Sequence, residues 1–360
     1  MNNNIQNQTA IDALESMFEY YNTPVKVNNI IVNNFSILYE LIPKQGITVN
    51  KIKRLMPDFS IYFNHPELII DQGLYLKIDN DQNNRMFYDF FEYADKDESK
   101  QIPIYAGIDE KNNKIVLDLA TLPHLLIAGS TGSGKSVFIH DCILSLLSGN
   151  NNILMIDPKK VELSMYKGVN GCNVITEPDE ILTGLQNAVN LMYYRYSIME
   201  SRGITDGHTI FDPYIIIIDE LADIMLNKAI KKECERLISK LTAMGRASSI
   251  HLIIATQRPS VNVLTGIIKA NIPARISFKT SSSIDSRCIL DKKGSELLTG
   301  MGDGYILTPE SSDFIRFQAY SNAPDSIQNY IQPIKNVHNH NNRSFTPIKQ
   351  YKGFLKRLFA

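Results

Sequence analysis

From about residue 102 onward, short apolar runs alternate with longer amphipathic segments. Two of the longer segments have apolar residues at helical spacing and end at Gly149 and Gly203, and glycine commonly closes a helix. Fully apolar runs are typical of strands buried on both faces of a sheet. Strands that alternate with helices over about 200 residues predict a parallel α/β sheet flanked by helices. The predicted strands are HLLIAG (124–129), NILMIDP (152–158), PYIIIIDE (213–220), HLIIAT (251–256) and ARISFKT (274–280).

The residues before 102 follow a different pattern. IDALESMFEYY has helical spacing, and the following VKVNNIIVNNFSILYELI alternates as strands do. This predicts a smaller N-terminal α+β domain. The polar first residues, and the Asn- and Pro-rich stretch after Tyr320, predict segments without a packed core. We therefore expect a disordered start at 1–12, a small domain at 13–101, the main domain at 102–320, and a linker with a basic tail at 321–360.

Composition and charge narrow the classes of function. The formal net charge of −1 gives no basic field over the whole molecule, so any contact with nucleic acid would be local. The first residues lack the basic and apolar regions of a signal peptide. No apolar run approaches the roughly 18–20 residues of a membrane span. We expect a cytoplasmic protein whose four scattered cysteines are free thiols.

A phosphate-binding loop is predicted at GSTGSGKS (129–136), which fits the pattern G-x-x-x-x-G-K-[ST] between an apolar strand and an amphipathic helix. Glycines let successive N–H groups point inward, so the loop and the helix N-terminus form an anion site. Lys135 is expected to reach the β- and γ-phosphates of ATP, and Ser136 to bind Mg²⁺. The predicted ATP-binding residues are Gly129, Ser130, Thr131, Gly132, Ser133, Gly134, Lys135 and Ser136.

Two acidic residues follow the apolar strand IIII. Asp219 and Glu220 are expected at the carboxyl edge of the sheet, where ligands of α/β proteins bind. Asp219 would hold Mg²⁺ through its waters, and Glu220 would orient or deprotonate the attacking water. The alternative is that the pair caps the next helix. The chain has no Asn-Lys-x-Asp motif for reading guanine, which argues against a GTPase.

The order of strands along the chain refines the fold class. The strand at 152–158 lies between the phosphate loop and the Asp-Glu strand in the sequence. An additional strand at that place, together with a catalytic Glu, is typical of motor ATPases. The prediction is an α/β, RecA-like P-loop NTPase.

The motifs together resemble the FtsK/SpoIIIE family of double-stranded DNA translocases. The resemblance extends over about residues 102–310, and residues 13–101 are similar to the small α domain that precedes the family's RecA-like β domain. It implies a homo-hexameric ring with double-stranded DNA in the lumen and ATP between subunits. The segments that carry it are LPHLLIAGSTGSGKSVFIH, MIDPKKVELSMYKGV, YIIIIDELADIM, MGRASSIHLIIATQRPSVNVLTGIIKANIPARISF, SSIDSRCILD and GSELLTGMGDGYIL.

The resemblance also implies roles for residues outside the phosphate loop. Arg246 matches the arginine that a neighbouring subunit supplies to the transferring phosphoryl group, and Arg275 is a second candidate. The alternative for Arg246 is a favourable charge at a helix C-terminus. Gln257, in ATQRPS, would sense the γ-phosphate and hold the water.

Contacts with DNA are implied for Arg258, Lys269 and Arg287, and they would be phosphate contacts that do not depend on sequence. The alternative for Lys269 and Arg287 is solvated surface charge. Ser283 stands where the family commonly has lysine, so one such contact is expected to be missing.

Three functions stay open at this level. The leading one is an ATP-dependent DNA translocase whose ATP hydrolysis is stimulated by DNA. The second is a conjugative or plasmid DNA-transfer ATPase, which the expected lack of a membrane anchor and of the family's γ domain would suit. The third is a nucleotide-dependent DNA-binding regulator that hydrolyses weakly. The basic C-terminal tail, KQYKGFLKRLFA, is a candidate contact for a membrane or transfer partner.

Overall fold

The computed structural model describes residues 2–32, 35–63, 66–70, 73–79, 85–95, 97, 99–311 and 313–335. The described residues form two compact units. One unit comprises the residues up to Met86 together with Glu110–Asn112, and the other comprises Phe87–Asp109 together with the residues from Asn113 onward. The predicted basic tail lies outside the described residues. No helix in the described ranges is long and apolar enough to cross a membrane.

The first unit is an antiparallel sheet of four strands covered by helices, and the last two strands of the chain order exchange places in the sheet. Leu14 and Phe18 of the first helix pack with Phe59 and Leu76 in its core. That helix begins at Asn2, whereas the sequence predicted disorder over 1–12. The segment has neither proline nor glycine, so a helix anchored in the core can extend back through it. The elements are α1 (Asn2–Tyr20), β1 (Val25–Val32), β2 (Ser36–Pro43), α2 (Val49–Lys53), α3 (Met56–Phe59), β3 (Glu67–Ile70) and β4 (Leu74–Asp79).

The second unit contains a sheet of ten strands with helices on both faces. Its strands are β5 (Pro103–Asp109), β6 (Lys114–Asp118), β7 (His124–Ala128), β8 (Asn152–Ile156), β9 (Cys172–Ile175), β10 (Tyr214–Ile218), β11 (Ile250–Thr256), β12 (Ala274–Phe278), β13 (Asp303–Leu307) and β14 (Ile315–Ala319). Its helices are α4 (Phe90–Tyr93), α5 (Lys135–Leu147), α6 (Pro178–Arg202), α7 (Leu221–Leu226), α8 (Lys231–Met244), α9 (Gly266–Ala270), α10 (Ser283–Leu290) and α11 (Pro324–Lys335).

The α/β class predicted from the sequence is confirmed, but the sheet is mixed rather than wholly parallel. The order is β6-β5-β14-β13-β12-β7-β11-β10-β8-β9. The strands from β12 to β9 are parallel, and β6, β5, β14 and β13 pair in antiparallel fashion beside them. Every residue of β7, β10 and β11 is buried. Ile215 and Ile217 pack on one face of the sheet, and Ile216 and Ile218 pack on the other.

The strand that separates the phosphate-loop strand from the Asp-Glu strand in the sheet is β11. It pairs with β7 on one side and with β10 on the other. The strand predicted at 152–158 is β8, which lies on the far side of β10. The carboxyl ends of these parallel strands meet at one edge. The tip of β11, rather than that of β8, therefore lies between the two halves of the predicted site.

The two ends of the second unit extend beyond the boundaries expected from the sequence. Tyr88 and Phe90 are buried in its core, and the Phe90 N–H donates to the Ser321 carbonyl at 2.8 Å. Helix α11 lies in the segment predicted to be a linker, and it buries Ile327 and Ile331. Their spacing of four residues forms an apolar helical face. Pro324 begins the helix, where proline is tolerated, and Pro333 lies in its last turn.

Two histidines are buried in the sheet near the amino ends of its strands. His124 begins β7, and its Nδ1 accepts a hydrogen bond from the Leu252 N–H at 3.1 Å. His251 lies in β11, 3.0 Å from the Pro123 carbonyl and 3.1 Å from His208 Nε2. Burial lowers the pKa of His124 to about 4 and that of His251 to about 3. Both residues are therefore neutral in the folded protein near neutral pH.

These histidines predict a loss of stability in mild acid. The unfolded chain takes up protons near the ordinary histidine pKa of 6.5, while the folded chain resists protonation down to the lowered values. The free energy of unfolding should therefore fall as the pH drops below 6.5, by up to about 1.4 kcal/mol per pH unit for each histidine. Urea unfolding followed by circular dichroism measures this slope. The variant His251→Gln should show a shallower slope than the parent chain, and equal slopes would contradict the prediction.

Candidate nucleotide-binding site

The loop between β7 and α5 has the backbone conformation that the phosphate-loop motif requires. Gly132 and Gly134 have φ angles of 76° and 104°, in the left-handed region that favours glycine. A Cβ on Gly134 would lie 2.4 Å from the Gly302 nitrogen, so a side chain cannot fit there. The Gly302 N–H donates to the Ser133 carbonyl at 2.9 Å, and the Ser130 N–H donates to the Lys279 carbonyl at 2.8 Å. Neighbouring segments thus hold the loop open.

A cavity of about 510 Å³ lies against this loop. Its volume falls in the range typical of small-molecule sites. Part of its wall comes from segments that the sequence analysis did not assign to a site. The lining residues are Phe87, Ser130, Thr131, Gly132, Gly134, Lys135, Ser136, Val137, Glu162, Gln257, Met301, Gly302, Gln318, Tyr320 and Ser321.

Lys135 and Asp219 form a buried ion pair beside this cavity. Lys135 Nζ lies 3.2 Å from the Asp219 carbonyl oxygen and 3.4 Å from its Oδ1. The two residues are 3% and 2% exposed. Burial raises the pKa of Asp219, and the charge of Lys135 opposes that rise. The structure thus brings together the two charges that the sequence assigned to the phosphates and to the metal.

Glu220 is held by several hydrogen bonds at the end of β10. Its Oε1 accepts from the Thr256 hydroxyl at 2.6 Å and from the Ala222 N–H at 3.3 Å. Its Oε2 accepts from the Gln257 N–H at 3.0 Å. Glu220 is therefore the N-cap of α7, the alternative considered from the sequence, and it also contacts the tip of β11. Neither Asp219 nor Glu220 lines the cavity. They contact its wall through Lys135 and Gln257.

Gln257 links the phosphate loop to Glu220. Its Oε1 accepts a hydrogen bond from the Thr131 hydroxyl at 3.1 Å, while its backbone N–H donates to Glu220. Two partners of Glu220 were missed by the sequence analysis, Thr256 and Lys159. The Lys159 Nζ lies 3.6 Å from Glu220 Oε2 and 3.7 Å from Asp223 Oδ2.

Two further acids lie close to Ser136 and Asp219. The Ser136 hydroxyl donates to Glu162 Oε1 at 3.0 Å. Asp157 is fully buried, and its Oδ2 accepts from the Leu163 N–H at 3.0 Å. Its Oδ1 has no hydrogen-bond partner among the described residues. Both acids follow β8 in the segment DPKKVEL. The end of β8 lies at the same carboxyl edge of the sheet as Asp219, and that position is the signal that could have identified them.

These oxygen atoms suit a magnesium ion. Mg²⁺ prefers carboxylate, hydroxyl and water oxygens, and it usually takes only one or two protein carboxylates. The Ser136 hydroxyl and the Asp219 carboxylate supply such ligands, and the unpartnered Asp157 oxygen can bind a water of the ion. The chemistry of this set fits the predicted metal.

The two arginine candidates differ in environment. Arg246 is exposed in the short turn Arg246–Ser248, immediately before β11. It therefore lies at the amino edge of the sheet, opposite the phosphate loop. Arg275 donates to the carbonyl of Ile272 at 3.1 Å and to Asp291 Oδ2 at 2.6 Å, and its side chain is largely buried. These contacts hold the Arg275 side chain against groups of its own chain.

The three predicted DNA-binding residues also differ. Arg258, after β11, and Arg287, on α10, are exposed. Lys269 is mostly buried, and its Nζ lies 2.6 Å from Asp291 Oδ1. Ser283 begins α10. The structure thus leaves Arg258 and Arg287 accessible, whereas Lys269 would have to leave an ion pair to contact DNA.

Comparison with known proteins gives consistent results. The family model of FtsK/SpoIIIE matches residues 91–216 and 207–261. The DNA translocase FtsK of Caldanaerobacter subterraneus subsp. tengcongensis is 36% identical over 344 residues, covering 89% of this chain and 48% of that protein. The DNA translocase FtsK of Helicobacter pylori strain J99 is 41% identical over 254 residues, covering 66% of this chain and 30% of that protein. The chain thus spans less than half the length of either relative.

Solved structures share the fold at lower identity. The pCW3 conjugation coupling protein TcpA, in its monomer form with ATPγS, has a TM-score of 0.66 at 23% identity, covering 89% of this chain and 98% of that one. The cytoplasmic domain of the Thermomonospora curvata type VII secretion ATPase EccC has a TM-score of 0.55 at 21% identity, covering 63% of this chain and 29% of that one. These likenesses show the fold, which is that of P-loop ATPases. The family-model match and the sequence identities show that the chain belongs to the FtsK/SpoIIIE family.

Proposed function

We propose that this chain is the motor of an ATP-driven double-stranded DNA translocase, acting as a ring of identical subunits. The observation that carries the proposal is the convergence of a phosphate loop, a buried Lys135–Asp219 pair and a hydrogen-bonded Glu220 at one sheet edge. This is the constellation needed to bind ATP and activate water, in a chain whose relatives are named DNA translocases.

The phosphate end of ATP would be bound by the loop and by Lys135. The open backbone at Gly132 and Gly134 lets amide groups face an anion. A phosphate would compete with Asp219 for the Lys135 ammonium, which now lies 3.4 Å from Asp219 Oδ1. Ser136 and Asp219 would hold Mg²⁺, which when bound neutralises charge on the phosphates. Released from Lys135, the Asp219 carboxylate would be free to face the magnesium ion.

Glu220 would act as the base that orients water, and its contacts suggest how the base is controlled. Its carboxylate is now tied to Thr256 and to the Gln257 N–H, and it does not line the cavity. The Gln257 side chain does line the cavity and contacts Thr131 of the loop. A γ-phosphate that displaced this side chain would move the backbone N–H that holds Glu220.

The coupling to DNA would pass along the tip of β11. Arg258 follows Gln257 directly, and its N–H donates to the Thr256 hydroxyl at 3.1 Å. The same hydroxyl donates to Glu220. A change at Glu220 would therefore reach the exposed Arg258 within two residues. Arg258 and Arg287 would contact DNA phosphates, while Lys269 would do so only after release from Asp291.

Arg246 would serve the site of a neighbouring subunit. Strand β11 has seven residues and is about 20 Å long at roughly 3.3 Å per residue. An arginine before its first residue cannot reach a nucleotide beyond its last one. Its exposure leaves it available to another copy of the chain.

The DNA-transfer alternative has one observation in its favour, the fold match that covers 98% of the TcpA chain. A transfer ATPase would use the same hydrolysis and differ in the partner that receives the DNA. A DNA-binding regulator that hydrolyses ATP only weakly would not depend on Glu220 for its ATP turnover.

Duplex DNA should raise ATP turnover several-fold, because a motor is productive only on its track. Phosphate release with and without long linear duplex is the measurement.

Glu220→Gln should still bind ATP and DNA but lose turnover by about 100-fold or more, since it removes the base. Glu233→Gln, which removes an exposed carboxylate of α8, is the matched control and should behave as the parent chain. A rate of ATP turnover that does not rise with duplex DNA, or that is unchanged in Glu220→Gln, would contradict the proposed motor function.

Subunit mixing tests Arg246. Lys135→Ala and Arg246→Ala chains should each be inactive alone, whereas an equal mixture should regain activity at about a quarter of the interfaces under random assembly. Those interfaces combine an intact loop from one subunit with an intact arginine from the next. The control mixes Lys135→Ala chains with chains that carry both Lys135→Ala and Arg246→Ala, and this mixture should regain no activity. If no mixing ratio restores turnover, Arg246 does not act between subunits.

A further inference from the structure

We propose that Glu162 positions Ser136 for the metal–nucleotide complex and makes nucleotide binding depend on Mg²⁺. The inference rests on the proposed ATP-dependent function and assigns a role in it to a residue that the sequence analysis left without one. Glu162 and Ser136 both line the cavity, and Glu162 Oε1 lies 3.0 Å from Ser136 Oγ.

The hydrogen bond between Ser136 and Glu162 sets the geometry of the serine hydroxyl. A hydroxyl has one proton and two lone pairs, and its rotor is free unless a partner fixes it. The Ser136 proton is donated to Glu162. The lone pairs of the same oxygen therefore remain available to a cation in the cavity. Without the carboxylate, the hydroxyl could turn its proton toward the cation.

Glu162 lies beside two side chains of α5. The Nε2 of His140 lies 3.9 Å from Glu162 Oε2, and its Nδ1 lies 2.9 Å from the hydroxyl of the fully buried Tyr166. His140 and Ser136 are four residues apart on α5, so they share a face of that helix. The hydrogen bond from Ser136 and the His140 ring, 3.9 Å from the other oxygen, thus place the carboxylate beside two positions one turn apart on the helix.

Acidic side chains outnumber the basic one near Ser136. Asp157 and Asp219 are buried, the charges of both Glu162 and Asp157 act on Asp219, and Lys135 is the buried cation paired with Asp219. One oxygen of Asp157 is fully buried and has no hydrogen-bond partner within the described ranges. Buried polar atoms are rarely left unpaired, because the loss of water is not repaid. An excess of carboxylate with an unpartnered oxygen suits a hydrated divalent cation.

The test is the ratio of nucleotide affinities in EDTA and in Mg²⁺, measured by equilibrium binding of fluorescent ATPγS to the full chain. The parent chain should bind more tightly in Mg²⁺. Glu162→Gln should weaken binding in Mg²⁺ by about tenfold, as is usual for residues that orient a metal ligand, and should leave binding in EDTA nearly unchanged. Glu233→Gln is the matched loss of a carboxylate away from the cavity and should keep the parent ratio.

A double-variant cycle separates positioning from a general structural effect. If Glu162 acts through the serine hydroxyl, Glu162→Gln should have almost no effect on the ratio in a Ser136→Ala chain. Glu162→Asp, which keeps the charge but withdraws the oxygen by one bond, should give an intermediate ratio. If Glu162→Gln changed the ratio of affinities as much in the Ser136→Ala chain as in the parent chain, the positioning role of Glu162 would be overturned. An unchanged ratio in the single variant Glu162→Gln would also overturn it. If the parent chain itself showed no preference for Mg²⁺, the nucleotide step of the proposed function would fail as well.

Discussion

The site depends on the buried contact between Lys135 and Asp219. Moving two charges out of water costs several kcal/mol for each ion, and only close pairing offsets that cost. The pairing requires the start of α5 and the end of β10 to meet, although the two residues are 84 positions apart in the chain. Strand β11, between β7 and β10, fixes the distance that they must bridge. The packing of the whole parallel sheet thus places one lysine where phosphates can compete for it.

The same strand gives the site its second function. Its last residue, Thr256, donates to Glu220, and the next residue, Gln257, contacts both Glu220 and the phosphate loop. The residue after that, Arg258, is exposed. Three consecutive residues therefore contact the base, the loop and the solvent. In a translocase this arrangement would connect the state of the nucleotide to a residue that holds DNA.

Local patterns predicted the phosphate loop and the Asp-Glu pair, because strand, loop and helix are adjacent in the sequence and each motif lies within one junction. Such local patterns do not predict contacts between residues that are distant in the sequence. Glu162 and Thr256 meet Ser136 and Glu220 only because of the strand order, which the alternation of strands and helices does not specify. Lys269 and Arg275 were predicted to act on ligands, but Asp291, 22 and 16 residues further on, pairs with both. The antiparallel strands were missed because apolar periodicity does not give strand direction.

We expect a nucleotide phosphate to take Lys135 from Asp219. A structure of the chain with ATPγS and Mg²⁺ would show whether it does. Phosphate oxygens should lie in the loop at 129–136, with Lys135 Nζ at about 3 Å from one of them and no longer within 3.4 Å of Asp219 Oδ1. A nucleotide bound elsewhere, or a Lys135–Asp219 contact unchanged beside bound phosphate, would contradict it.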